Sequence, residues 1–197
     1  RQKLYNSLYE ETNKTDESLV CTKLILDFDE ETKDVTLEVD KGIVSCLKPH
    51  QCNGIKFMWE ACFESLEQIK KSNGSGCILA HCMGLGKTLQ VVSLVHTLLA
   101  NSKKTKVKRV LVVCPLSTVL NWVNEFEIWC EKAKSKYELN LYEMSRQKQN
   151  VDRAYRLKEW FEDGGVMIIG YDMFRNLINL GTKIRKKLRE DLSLIHI

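Results

Sequence analysis

The run Ala80-His81-Cys82-Met83-Gly84-Leu85-Gly86-Lys87-Thr88 gathers the groups that hold a nucleoside triphosphate. Its glycines let backbone N–H groups turn toward phosphate oxygens with no Cβ in the way. Lys87 places a compact positive charge at the β- and γ-phosphates, and the Thr88 hydroxyl suits Mg²⁺. An apolar segment, residues 77–80, reads as a strand entering this loop. From Lys87 to about residue 100 the pattern is an amphipathic helix, whose N-terminus adds partial positive charge at the same point. The usual spacing, Gly-x-x-x-x-Gly-Lys-Ser/Thr, asks for glycine at position 81, where this chain has His81. That departure narrows the class of enzyme and leaves the phosphate chemistry in place, because Gly84 to Thr88 carry it.

Two further segments carry weaker signals. In Leu47-Lys48-Pro49-His50-Gln51 the Gln51 amide offers a donor beside an acceptor, the complement of an adenine edge. Its force comes from lying upstream of the phosphate loop; alone it is a polar residue in a helix's first turn. The apolar run 110–114 is ended by Pro115, and the turn there could present Ser117 or Thr118 and backbone amides to a phosphate. Core plus turn explains that segment equally well when it is taken alone. His50, His81, Cys82 and His96 share no spacing that converges on a metal. The basic stretches 103–109 and 183–189 read as solvated loop and helix faces before they read as nucleic-acid patches.

The elements that must position these groups alternate. Residues 23–28 and 35–39 are β-like and flank an acidic turn. Pro49 opens a helix in which Ile55, Met58, Trp59, Cys62, Phe63, Leu66 and Ile69 recur at helical spacing, until the Gly/Ser-rich stretch 71–76 breaks it. Residues 110–114 form a continuous apolar strand of the kind buried in parallel sheets. Helical periodicity follows from Leu116 to Trp129. A weaker strand spans 137–142, a helix runs from about Val151 to Phe161, a strand covers 166–169 and a helix covers 171–180. The alternation predicts an α/β fold with a parallel sheet, helices on both faces, and ligand beyond the carboxyl ends of the strands.

Composition agrees. The chain has 197 residues, 44% hydrophobic and 28% charged, with a net charge of +4, which is compatible with nucleic acid without arguing for it. Its eight cysteines include no Cys-x-x-Cys pair and read as small buried hydrophobes in a reducing compartment. No run approaches the roughly 20 apolar residues of a membrane span, so no membrane partner is expected. Residues 1–20 read as a flexible lead-in, 21–46 as an extension with short strands, and 47–197 as a partial nucleotide-binding lobe. The chain opens with Arg1 and is expected to belong to something longer.

Taken together, LKPHQ, GCILAHCMGLGKTLQVVSLVHTLL, LVVCPLSTVLNWVNEFEIW and DGGVMIIGYDMFRNL resemble the first ATPase lobe of Swi/Snf-type, superfamily-two DNA translocases, from about Thr22 to Leu180. Most of that family has Asp-Glu where this chain has His81-Cys82, which marks a subgroup. The resemblance implies a RecA-like sheet in the first of two helicase lobes, binding of ATP and Mg²⁺, and double-stranded DNA and nucleosomes as partners in the nucleus. Chromatin proteins would be met through other regions. It implies that Lys87 and Thr88 act on phosphate and magnesium, with His81 to Gly86 as the rest of the loop and Gln51 at adenine. It also implies that Pro115, Ser117, Thr118 and Tyr171 lie on the DNA side. The family's Asp-Glu-x-His motif and the second lobe are not in these residues, so hydrolysis by this segment alone is expected to be very slow. The last residues, 192–197, do not resemble the family's continuation.

Overall fold

The computed structural model describes residues 21–72 and 74–178. The expected lead-in at 1–20, the charged stretch 183–189, residues 192–197 and the last two residues of the 171–180 helix lie outside them. Three parallel strands form the main sheet in the order β3-β5-β4: β3 is Arg109–Cys114, β4 is Leu141–Glu143 and β5 is Gly165–Gly170. β5 is central and buried along its length. Its side chains alternate between faces, as a pleated strand requires. Val166 and Ile168 meet Val92, Val95 and Leu99 of helix α3 (Lys87–Ala100), and Val119 and Phe126 of helix α5 (Val119–Lys132). Met167 and Ile169 face the other way. There they meet Leu157 and Trp160 of α6 (Asn150–Asp163) and Met173, Phe174 and Leu177 of α7 (Tyr171–Ile178). Helices thus cover both faces of a RecA-like parallel sheet, as the alternation predicts.

A smaller layer sits beside α3. Strands β1 (Ile25–Phe28) and β2 (Val35–Glu38) pair antiparallel. The acidic turn between them is held by Asp29, whose carboxylate accepts from the N–H groups of Glu31 and Thr32 at 2.9 Å each. Leu24, Leu26, Leu37 and Val39 join one core with Ile43 and Val44 of α1 (Lys41–Val44) and with Ile55 and Trp59 of α2 (Pro49–Cys62). Leu94 and Leu98 of α3 complete it. A four-residue helix, α4 (Ser102–Thr105), links α3 to β3.

Four local expectations change. The strand predicted at 77–80 forms no ladder: the segment is extended but pairs with nothing among the described residues, and Ile78 is 84% exposed. A strand is a property of a pair, and β3 and β4 each pair only with β5. The helix predicted through Ile69 stops at Cys62. Glu64 adopts a left-handed φ of 63°, and its N–H joins that of Phe63 on the Trp59 carbonyl. Leu66, in a turn, and Ile69, in the 3₁₀ segment Gln68–Lys70, still pack on the same core, which is why their spacing imitates a continued helix. The strand predicted at 137–142 shrinks to Leu141–Glu143, because β5 begins at Gly165 and offers nothing earlier to pair with. Finally, the cysteines are not uniformly interior. Cys52 and Cys114 are buried, and burial raises Cys130 to about 11, whereas Cys46 and Cys82 are exposed.

Candidate nucleotide site

The loop is built by two glycines and closed by one lysine. Gly84 and Gly86 have φ values of 80° and 72°, the left-handed region that glycine enters without penalty. Gly86 is the N-cap of α3, so the chain turns directly from the loop into the helix. Nothing lies within 4 Å of the position a Cβ would take on Gly84. At Gly86 a Cβ would overlap the Gln51 side-chain nitrogen. Cys82, Met83, Gly84 and Leu85 are exposed. Among the described residues none accepts a hydrogen bond from the loop N–H groups of Met83 to Gly86. With the first N–H groups of α3, which have no intrahelical partner, they lie together at a helix N-terminus. Lys87 reaches back over this run, and its ammonium donates to the carbonyls of His81 at 2.8 Å and Cys82 at 2.9 Å. Free donors, a left-handed glycine pair and an ammonium at the helix start fit a polyphosphate. The partly buried Thr88, one residue into α3, fits as the hydroxyl that would hold Mg²⁺.

Helix α2 braces the loop from behind. Gln51 is 7% exposed. Its Oε1 accepts from the Lys48 N–H at 2.9 Å, and its Nε2 donates to the Leu85 carbonyl at 3.3 Å. The same carbonyl lies 3.3 Å from Nε2 of His50. The amide therefore joins the start of α2 to the turn of the loop. The sequence placed Gln51 near a nucleotide, and the structure puts it directly against the phosphate loop.

The SNF2-related domain profile matches residues 50–195, about three quarters of the chain. The chain belongs to the SNF2-related domain family. It is 54% identical over 193 residues to the Drosophila melanogaster transcriptional regulator ATRX homolog, covering 98% of this chain and 14% of that protein. To Homo sapiens transcriptional regulator ATRX it is 54% identical over 171 residues, 87% of this chain and 7% of the relative. To Mus musculus helicase ARIP4 it is 38% identical over 163 residues, 75% of this chain and 11% of the relative. The chain thus spans a small part of these relatives' length.

In this SNF2-related lobe the residues expected on the DNA side come together. Cys114 and Gly170 are register partners at the carboxyl ends of β3 and β5. The turn Pro115 to Thr118 and the first residue of α7, Tyr171, therefore leave the sheet side by side. Leu116 packs 3.5 Å from the position a Cβ would take on Gly170. Thr118 donates its hydroxyl to the Pro115 carbonyl at 2.8 Å, which leaves the exposed Ser117 as the outward-facing hydroxyl. Tyr171 is 57% exposed. His50 and His81 also meet, edge to face with ring centroids 6.4 Å apart, while His96 lies apart from them, against Tyr137. One residue of the site escaped sequence reasoning altogether. Gln90 is fully buried, four residues beyond Gly86, and touches His81, Leu85 and Gly86. Its signal was an amide at a position where the helix's burial pattern asks for a hydrocarbon.

Proposed function

We propose that this segment is the ATP-binding first lobe of a double-stranded-DNA translocase that acts on nucleosomes in the nucleus. The observation that supports it most is the loop itself. Two left-handed glycines in an exposed loop and Lys87 stand at the start of α3, in a chain of the SNF2-related family. The relatives' names, transcriptional regulator and helicase, point the same way.

In this reading the N–H groups of Met83 to Thr88 cradle the phosphates, and Lys87 exchanges its two carbonyl partners for phosphate oxygens. Thr88 would hold Mg²⁺, which when bound neutralises charge developing on the transferred phosphoryl group. Gln51 would meet adenine from the start of α2 by releasing its amide from the Lys48 N–H and the Leu85 carbonyl. Ser117, Thr118, Pro115 and Tyr171 would meet the DNA backbone at the carboxyl edge of the sheet, where contacts position without reading sequence. The Asp-Glu-x-His run that orients water in the family is not among these residues, so turnover is proposed for the full-length protein. A second reading is nucleotide binding without turnover.

DNA-stimulated ATP hydrolysis by the full-length protein decides between them. Turnover that disappears in Lys87→Ala and Lys87→Arg supports the translocase. Undiminished turnover in those variants would sink the assignment, and tight ATP binding with no turnover in the unaltered protein supports the second reading.

A further inference from the structure

His81 stands where the usual phosphate loop has glycine, and its surroundings give it a task. Three acceptors surround the Gln90 side-chain nitrogen: His81 Nδ1 at 3.4 Å, the Leu85 carbonyl at 3.3 Å and the Gly86 carbonyl at 3.3 Å. Two of these are carbonyls, which only accept, so the amide turns its NH₂ group this way and shares two N–H hydrogens among three neighbours. The clasp forms in the tautomer that leaves His81 Nδ1 without a proton, so that it accepts from the amide. The amide is fully buried, and its oxygen has no hydrogen-bond partner among the described residues. That oxygen is pressed against Gly54 of α2, where a Cβ would overlap it and would come 3.1 Å from Cε1 of His81. Helix α2 thus approaches through a glycine, and the His50 ring closes the edge of His81.

The backbone of the same residue faces the other way. The His81 carbonyl accepts from the Lys87 ammonium at 2.8 Å. The ring of His81 is held by Gln90 of α3, and its carbonyl holds the phosphate lysine of α3. One residue therefore ties the near side of the loop to the helix at two points.

We infer that His81, clasped by Gln90 over Gly54, is a positioning residue that holds the phosphate loop in its binding shape before nucleotide arrives. This rests on the reading of the loop as an ATP site and adds to it how the loop is pre-organised. A loop that must first be ordered binds more weakly by the fraction of time it is competent, so the clasp raises affinity without touching the reacting atoms.

The test uses the full-length protein and His81→Leu, His81→Asn, Gln90→Met and the double variant His81→Leu/Gln90→Met. Asparagine keeps an acceptor close to the place of Nδ1; leucine keeps bulk and removes the acceptor. Two readouts are taken: amide hydrogen exchange without nucleotide at position 90, whose N–H donates to the Gly86 carbonyl at 3.1 Å, and KM for ATP against kcat in the DNA-stimulated reaction. His81→Leu and Gln90→Met should each speed exchange and raise KM about tenfold with kcat within twofold. His81→Asn should stay near the unaltered protein, and the double variant should be no worse than either single change. Unchanged exchange in His81→Leu, no rescue by asparagine, or fully multiplicative effects in the double variant would each overturn the clasp. Exchange is read without ATP, so an increase in His81→Leu supports the clasp even in a protein whose Lys87→Ala variant shows that the loop does not serve ATP.

Discussion

The ammonium of Lys87 lies within 2.9 Å of both the His81 and the Cys82 carbonyls, so the residue expected to grip phosphate holds its own loop closed. Binding exchanges two backbone acceptors for charged phosphate oxygens, which make stronger, charge-assisted bonds. Loss of Lys87 therefore has unequal consequences. In Lys87→Ala the affinity for ATP should fall at least about 100-fold. Folding stability should fall by only about 1 kcal/mol, because these bonds lie near the surface. Isothermal titration beside urea unfolding separates the two. Equal losses of binding and stability would mean that Lys87 is a structural strut.

The two loop glycines should not be equally replaceable. Both have left-handed φ, which costs an alanine about 1–2 kcal/mol. At Gly84 a methyl group would meet open space, whereas at Gly86 it would drive into the Gln51 amide that joins α2 to the loop. Gly84→Ala should lower stability by about 1 kcal/mol and keep measurable ATP binding. Gly86→Ala should cost about 2–3 kcal/mol and lose ATP binding together with the α2 contact. Denaturant midpoints and nucleotide titrations of the two variants check the order; a reversed order would contradict the geometry.

Acid should unfold this lobe in two stages. His96 is 1% exposed, and neither ring nitrogen has a hydrogen-bond partner among the described residues. Burial holds its pKa below the ordinary 6.5, against the opposing pull of Asp40. The unfolded chain therefore takes up a proton that the folded one refuses. Stability should fall as pH drops below about 6.5 and level off below the folded pKa. Asp40 behaves differently. Burial alone would raise its pKa, but the N–H groups of Lys134, Gly42 and Ser135 outweigh burial and hold it below 3.8. Its contribution is present above about 3.8 and is lost as pH falls through the folded value. Urea midpoints from pH 8 to pH 3 should show both limbs, and His96→Leu should flatten only the upper one.

What was legible in the sequence was local. Helix α3 runs over the residues its periodicity marked, and the loop before it carries its glycines where φ must be positive. The illegible parts depend on partners distant in sequence. Residues 77–80 have the composition of a strand, but pairing is supplied by a neighbour, and no described strand pairs with them. The end of α2 is set at Glu64, and the chain beyond it is held where Asp27 of β1 accepts the Leu66 N–H at 2.8 Å. The Gly/Ser stretch that looked like the breaker comes later. Gln90 and Gly54 are ordinary residues of two helices until the fold sets one against the other.

The carboxyl edge of the sheet offers a test that separates DNA from nucleotide. Ser117 is exposed in the turn after β3, and Tyr171 directly follows Gly170, the register partner of Cys114, at the end of β5. A carboxylate placed there would repel a phosphate backbone, and the repulsion would be relieved by added salt. Among the described residues, 81–86 and Lys87 make no hydrogen bond to that turn, so ATP should not sense the change. In the full-length protein, Ser117→Glu should raise the DNA concentration for half-maximal ATPase about tenfold. KM for ATP should stay within twofold, and Ser117→Ala should behave nearly as the unaltered protein. A shift in the ATP KM with no change in the DNA requirement would place the DNA path elsewhere, because the turn would then be acting on the phosphate loop through the sheet.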